Sequence, residues 1–122
     1  MIQYAALLYA VICGGVIVFQ ICLIAGAPWG RLTQGGNHAE ALPVSGRVIA
    51  AFSALLLILM TGSLLSVAGI WPVWPRWMGW VALGIQTVSM LLNWITPSKA
   101  ERRLWGPVTT VMFAMALVVM VA

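Results

Sequence analysis

The chain has 122 residues, of which 63% are hydrophobic and only 7% are charged, with a formal net charge of +4. Ordinary soluble domains are about 25% charged, so this composition excludes a soluble enzyme, a nucleic-acid-binding domain and a disordered segment. We therefore expect an integral membrane protein whose principal partner is the lipid bilayer.

Four long runs without charge each supply the roughly 20 apolar residues that a membrane-spanning helix needs. They predict spans at about 4–26, 47–70, 77–95 and 102–121. Because four spans use most of the chain, residues 1–122 are predicted to form one membrane domain. The expected fold class is all-α, a four-helix transmembrane bundle.

The first connection, at about 28–46, is long compared with the roughly 2–8 residues usual between bundled helices. It contains Arg31, His38 and Glu40, with Arg47 at its edge. An alternative to a bare loop is a structured cap that folds back on the bundle, with Trp29 and Leu42 as anchors.

His38 and Glu40 resemble half of a metal site, which needs three or four ligands. The only cysteines, Cys13 and Cys22, fall in span one on opposite helical faces, so they neither pair nor converge. We expect no metal, no cofactor and no catalytic residues.

The second connection is rich in tryptophan and continues into span three. Four of the seven tryptophans lie between Ile70 and Trp80, a pattern typical of an aromatic belt at the membrane–water interface. Pro72 and Pro75 are expected to end span two and prepare span three. An aromatic cage for a cationic ligand is the alternative, although Arg76 in the middle argues against it.

The third connection, at about 96–101, introduces span four. Ser98-Lys99-Ala100-Glu101 fits a capping box, with Ser98 at the N-cap position. Glu101 is also the natural partner for Arg31 or Arg47 from the first connection. Pro107 is expected to kink the helix that follows.

The basic residues are distributed unevenly between the two sides of the membrane. Five of the six Lys and Arg side chains lie in or beside the first and third connections, whereas the second connection carries only Arg76. The positive-inside rule then places those two connections in the cytoplasm and both termini on the extracytoplasmic side, as in a bacterial inner membrane protein.

No Asp, Glu, Lys, Arg or His side chain lies deep in any span, which argues against an ion-coupled transporter. The polar residues that remain include Gln86 near the midplane, and Gln20 and Asn93 closer to the cytoplasmic side. Interhelical hydrogen bonding explains them most simply. A polar-lined cleft for a lipid-like or small neutral ligand is the alternative.

Several short motifs recur together along the chain: Ala27-Pro28-Trp29-Gly30-Arg31, Gly35-Gly36-x-His38, Leu42-Pro43, Arg47, Asn93, Ser98, Glu101-Arg102 and Trp105-x-Pro107. This pattern resembles a group of small bacterial four-span membrane proteins that has no established activity. The resemblance covers nearly the whole chain and implies a fold and a topology but no chemistry. It also implies that the two cytoplasmic connections form a unit.

Three functions fit these features. The first is a non-enzymatic accessory or assembly subunit that packs against itself, as a homo-oligomer, or against another membrane protein. The second is a binding or transport module for a hydrophobic or small neutral ligand, with Arg31, His38 and Glu40 at its mouth. The third is a lipid-modifying enzyme with His38 and Glu40 as an acid/base pair. The candidate ligand or interaction residues are Gln20, Arg31, His38, Glu40, Arg47, Gln86, Asn93 and Glu101.

Overall fold

The computed structural model describes all 122 residues and contains four α-helices and no β-strand, which confirms the predicted all-α four-helix architecture. The helices are α1 (Ile2–Ile24), α2 (Val44–Val67), α3 (Arg76–Ile95) and α4 (Lys99–Val121). Each is long and apolar enough to cross a membrane. Every helix boundary falls within three residues of the corresponding predicted span.

The four helices form a closed antiparallel ring. Helix α1 packs against α2 and α4, α3 packs against the same two helices, and only minor contacts join α2 to α4. Both termini and the second connection, at 68–75, therefore lie at one end, here called the termini end. The first connection at 25–43 and the third at 96–98 lie together at the other, the cap end.

The half of the bundle nearer the termini end is tightly packed. Close approach is possible because small residues face large ones: a Cβ added to Gly79 would lie 2.7 Å from both Met120 and Val67. Such packing holds membrane helices together without a hydrophobic driving force between them. The buried apolar side chains of this cluster are Ala5, Ala6, Tyr9, Cys13, Met60, Leu64, Ala68, Ala82, Met112, Ala116, Val119 and Met120.

The first connection folds back on the bundle as a structured cap. It contains two short 3₁₀ turns, at Gly30–Leu32 and Gln34–Gly36. Leu42 is buried against Leu23 and Ala50, and the Trp29 ring stacks on Phe19 with 5.8 Å between ring centroids. These contacts match the folded cap that the sequence offered as an alternative to a bare loop.

The N-cap of α4 forms as predicted, since Ser98 Oγ accepts a hydrogen bond from the Glu101 amide at 3.2 Å. The reciprocal half of the capping box does not form, because the Ser98 amide donates instead to Thr96 Oγ1 at 3.3 Å. The Ser98 hydroxyl also donates to the carbonyl of Arg31 at 2.9 Å, which ties the third connection to the first. The α4 helix continues unbroken through Pro107.

The tryptophans of the second connection lie in different surroundings. Trp71 and Trp77 are exposed, whereas the Trp74 ring lies over Gly62 of α2. The close aromatic pairs of the protein lie elsewhere, around Phe19 at the cap end. This arrangement fits an interfacial belt and not the alternative of an aromatic cage.

Candidate functional site

The half of the bundle nearer the cap end contains a cavity of about 620 Å³. Small-molecule sites in proteins usually measure about 300–1,000 Å³, so the cavity has the size of a ligand site. All four helices and both connections of the cap end contribute to its wall. Its polar lining residues are Gln20, Thr33, Gln34, Ser53, Gln86, Ser89, Asn93, Thr96, Glu101 and Thr109.

Gln86 lies on the side of the cavity that adjoins the packed half, and only 2% of it is exposed. Its Oε1 accepts a hydrogen bond from the Tyr9 hydroxyl at 2.8 Å, and its Nε2 donates to the carbonyl of Thr109 at 3.2 Å. The amide thereby joins α1, α3 and α4. Both of its ends are occupied, so Gln86 is better suited to hold the helices together than to contact a ligand.

Other polar side chains in the cavity keep atoms free for a ligand. The Asn93 amide donates to the carbonyl of Ser89 at 2.7 Å, while its Oδ1 has no donor in the protein. Gln20 and Ser53 also line the cavity and make no side-chain hydrogen bond within the chain. Polar groups in an apolar environment are costly unless they are hydrogen-bonded, so these atoms favour a polar occupant.

Glu101 is the only ionisable side chain in the lining, and only 7% of it is exposed. Its Oε2 accepts a hydrogen bond from the Gly35 amide at 3.4 Å, and its Oε1 has no donor in the protein. Glu101 does not form the expected ion pair with Arg31 or Arg47. The Arg47 Nε donates to the carbonyl of Leu42 at 3.0 Å, and Arg31 is exposed.

Two aromatic rings form part of the wall beside Glu101. Phe19 and Trp105 meet edge to face, with 4.8 Å between ring centroids and 67° between ring planes. The Trp105 Nε1 donates to the carbonyl of Leu32 at 2.8 Å, which fixes the orientation of its ring. Trp105 follows Glu101 by one helical turn, so both lie on the same face of α4.

The cavity lining reaches the outer surface of the bundle on α2 and α3. Leu56 and Leu92 both line the cavity, yet they are 40% and 56% exposed on the outer surface of the bundle. A smaller, almost wholly apolar cavity of about 130 Å³ shares Leu56, Met60 and Ile85 with the first and extends to Trp77. The two together form a groove along the α2–α3 face of the bundle.

The structure brings four of the eight sequence candidates into one cavity: Gln20, Gln86, Asn93 and Glu101. The other four lie outside its lining. Arg31, His38 and Glu40 are exposed on the first connection, and the Arg47 guanidinium lies against Gly26. The mouth expected at Arg31, His38 and Glu40 therefore stays a prediction, since none of these residues lines the cavity.

Sequence reasoning missed Phe19, Trp105 and the loop residues Thr33 and Gln34 as parts of the site. Ser53 and Ser89, which also line the cavity, belong to the polar residues of the spans that made a polar-lined cleft the alternative. The spacing of Glu101 and Trp105 was an available signal, since residues four apart share a helical face. Nothing in the sequence indicated that Thr33 and Gln34 fold over the bundle.

His, Cys, Asp and Glu side chains nowhere come together in the group of three or more that would hold a metal ion. Glu101 and the free amides therefore offer hydrogen bonding and charge as their means of recognition. Comparison of the chain with protein-family models, with curated proteins and with solved structures finds no match in any of the three.

Proposed function

We propose that this protein is a membrane binding module for a small amphiphilic molecule, whose polar head occupies the cavity and whose apolar part faces the bilayer. The observation that carries this proposal is the cavity of about 620 Å³, which combines free polar atoms with a lining that reaches the outer surface on α2 and α3. A ligand dissolved in the bilayer reaches such a surface without crossing the folded cap.

The contrast between the two halves of the bundle supports this proposal. A subunit that served only to pack against partners would gain stability from a filled interior, because empty space and unpaired polar atoms both cost free energy. Here the termini half is filled by a cluster of 12 buried residues. The cap half keeps Gln20, Ser53 and Asn93 facing open space.

We place the protein in a bacterial inner membrane with the cap end in the cytoplasm. The support is the distribution of Lys and Arg, five of which belong to the cap end and one, Arg76, to the termini end. Cytoplasmic loops carry such an excess.

Binding of dodecanol tests the proposal, since it joins a small neutral head to an apolar chain. The protein is purified in a detergent with a bulky glycoside head, and bound dodecanol is counted by native mass spectrometry. We expect saturable binding of one molecule per chain. Ser89→Phe places a ring inside the cavity and should weaken binding, because the ring occupies part of the space that the ligand head would take.

Val88→Phe is the matched control, because Val88 is 56% exposed on the outer surface and does not line the cavity. It should bind dodecanol as the unaltered chain does. Equal binding by the two phenylalanine variants, or the absence of saturable binding by dodecanol and by its charged analogues alike, would refute the proposal.

Assembly with a second copy or with another membrane protein is the second candidate function. It is favoured by Gly14 and Gly15 of α1, where an added Cβ would meet nothing within 4 Å. Small residues that the bundle does not use leave room for the close approach of an outside helix. Gly14→Leu should then reduce the oligomer fraction seen by mass measurement in mild detergent, and an unchanged monomer in both proteins would contradict this candidate.

A further inference from the structure

We propose that the cavity selects amphiphiles with a protonated amine head, held at Glu101 beside the Phe19–Trp105 pair, with the alkyl chain in the α2–α3 groove. This inference rests on the proposed function and adds the chemical class of the ligand. The argument begins with charge. Of the 22 lining residues, Glu101 alone is ionisable, so the lining carries one negative charge and no positive charge.

The Glu101 carboxylate suits a cationic hydrogen-bond donor. Its residue is more than nine-tenths buried, its Oε1 has no donor in the protein, and its Oε2 has a single long contact of 3.4 Å with an amide. A buried carboxylate is costly unless it is paired and hydrogen-bonded. An ammonium group answers both needs, because it brings a charge and up to three N–H donors.

Other residues of the cavity lining extend the match. The free Oδ1 of Asn93 and the side-chain amide of Gln20 provide further acceptors in the same lining. Phe19 and Trp105 present aromatic rings there, and Trp105 is held in place by its bond to Leu32. Carboxylate and aromatic groups around one site are the combination that attracts ammonium ions in proteins.

The groove accounts for the alkyl chain. It runs from the cavity past Leu56, Met60 and Ile85 to Trp77. From Asn93 to Trp77 it follows about 24 Å of α3, at the helical rise of about 1.5 Å per residue. The part of the groove nearer Trp77 has an almost wholly apolar wall. It therefore favours a hydrocarbon chain, because a polar chain would find no hydrogen-bond partners there.

The Lys and Arg residues at the cap end contribute no cationic side chain to the cavity lining. Arg31, Arg47, Lys99, Arg102 and Arg103 all lie outside the lining. The guanidinium of Arg102 donates to the carbonyl of Thr96 at 3.2 Å, and that of Arg47 to Leu42. They repel a cation that approaches through the cap, which leaves approach from the bilayer, on the α2–α3 face, as the favoured route.

The test compares the affinities of three probes that share one alkyl chain and differ in the head group. They are dodecylamine, dodecanol and dodecanesulfonate, measured at neutral pH. Alkyl amines are protonated under these conditions, as Lys is. Hydrogen bonds to charged groups are worth about twice those between neutral groups, so we expect dodecylamine to bind at least about tenfold more tightly than dodecanol. Dodecanesulfonate should bind most weakly.

Glu101→Gln removes the charge and keeps an oxygen that can accept from Gly35. We expect it to bring dodecylamine and dodecanol to similar affinities. Glu40→Gln is the matched control, because Glu40 is the only other carboxylate side chain and is exposed. Phe19→Leu keeps an apolar side chain, removes the ring, and should weaken dodecylamine binding by about two- to fivefold relative to dodecanol binding. This variant still tests the proposal if Glu101→Gln fails to fold.

The outcomes separate this inference from the function on which it rests. Dodecanol binding without a preference for dodecylamine, or a preference that survives Glu101→Gln, overturns the amine assignment and leaves the binding module standing. Absence of saturable binding by any of the three probes overturns both.

Discussion

At the scale of single residues, Gln86 shows how one buried amide holds the interior of the helix bundle together. It accepts from Tyr9 of α1 and donates to the backbone of Thr109 in α4, so three helices meet at one side chain. The alternative partners for these groups within the bilayer are few, because hydrocarbon supplies no hydrogen bonds. The residue also marks the boundary between the packed half and the cavity.

Replacing Gln86 with Leu should destabilise the bundle by about 1–3 kcal/mol, because the buried Tyr9 hydroxyl loses its acceptor. Unfolding by titration with dodecyl sulfate, followed by circular dichroism, measures the free-energy change. In a double-mutant cycle with Tyr9→Phe, the coupling free energy between the two residues should be about 0.6–1.7 kcal/mol, the range found for hydrogen bonds between membrane helices. A coupling of zero would show that the Tyr9–Gln86 hydrogen bond does not contribute to stability.

The individual roles of these residues were only partly predictable. Gln86 stands out in the sequence because an amide among apolar residues in a span must find a partner. Its partner Tyr9 does not stand out, since 77 residues separate the two and their meeting depends on how α1 and α3 are rotated. The same limit applies to Glu101, whose carboxylate bonds to Gly35 of a loop whose fold has no periodic signal.

At the scale of elements, the cap depends on close backbone contacts that side chains would prevent. The Gly30 amide donates to the Glu40 carbonyl at 2.8 Å, and this residue is buried beneath the Glu40 and His38 backbone. Gly36, with a positive φ of 71°, lies against Ser98. These contacts close the cap over the cavity and bring the Gly35 amide to Glu101.

Gly30→Ala should open this cap, because the added Cβ would collide with the carbonyl oxygens of Glu40 and His38. Backbone atoms cannot yield as a flexible side chain does, so we expect a loss of about 1–3 kcal/mol, as for other overpacked sites. Hydrogen exchange of residues 30–42 should rise while that of the helix interiors stays constant.

Gly14→Ala is the matched control for this experiment. Nothing lies within 4 Å of its added Cβ, and alanine is the better helix former by about 0.5–1 kcal/mol. It should leave exchange in the cap unchanged and should stabilise α1 slightly. Equal exchange in the two variants would contradict the role assigned to Gly30.

The sequence predicts some structural elements of this protein better than others. Helices are readable because a membrane span is defined by an uncharged run of sufficient length, a local property of the chain. The start of α4 is readable because Ser98 carries a capping signature. The cavity is only partly readable: Gln20 and Asn93 indicated a polar-lined cleft as the alternative, but its size depends on the space that the four helices and the cap leave between them.

At the scale of the whole molecule, the two ends differ in charge as well as in packing. The cap end carries five Lys and Arg side chains and both Glu residues, whereas the termini end carries Arg76, whose guanidinium donates to the Met120 carbonyl at 3.2 Å. The charged end is thus also the end that covers the cavity. The proposed orientation, with the basic cap end in the cytoplasm, would place the head of a ligand in the cytoplasmic half of the bilayer.

Cysteine labelling tests this orientation in intact bacterial cells. In a chain carrying Cys13→Ala and Cys22→Ala, Ala122→Cys reports on the termini end and Asn37→Cys, at an exposed position, reports on the cap. A membrane-impermeant maleimide should label position 122 directly and position 37 only after the membrane is permeabilised. Labelling of position 37 alone in intact cells would show the opposite orientation. The head of a ligand would then lie in the outer half of the bilayer. Labelling of both would indicate two orientations, which a charge bias of five to one opposes.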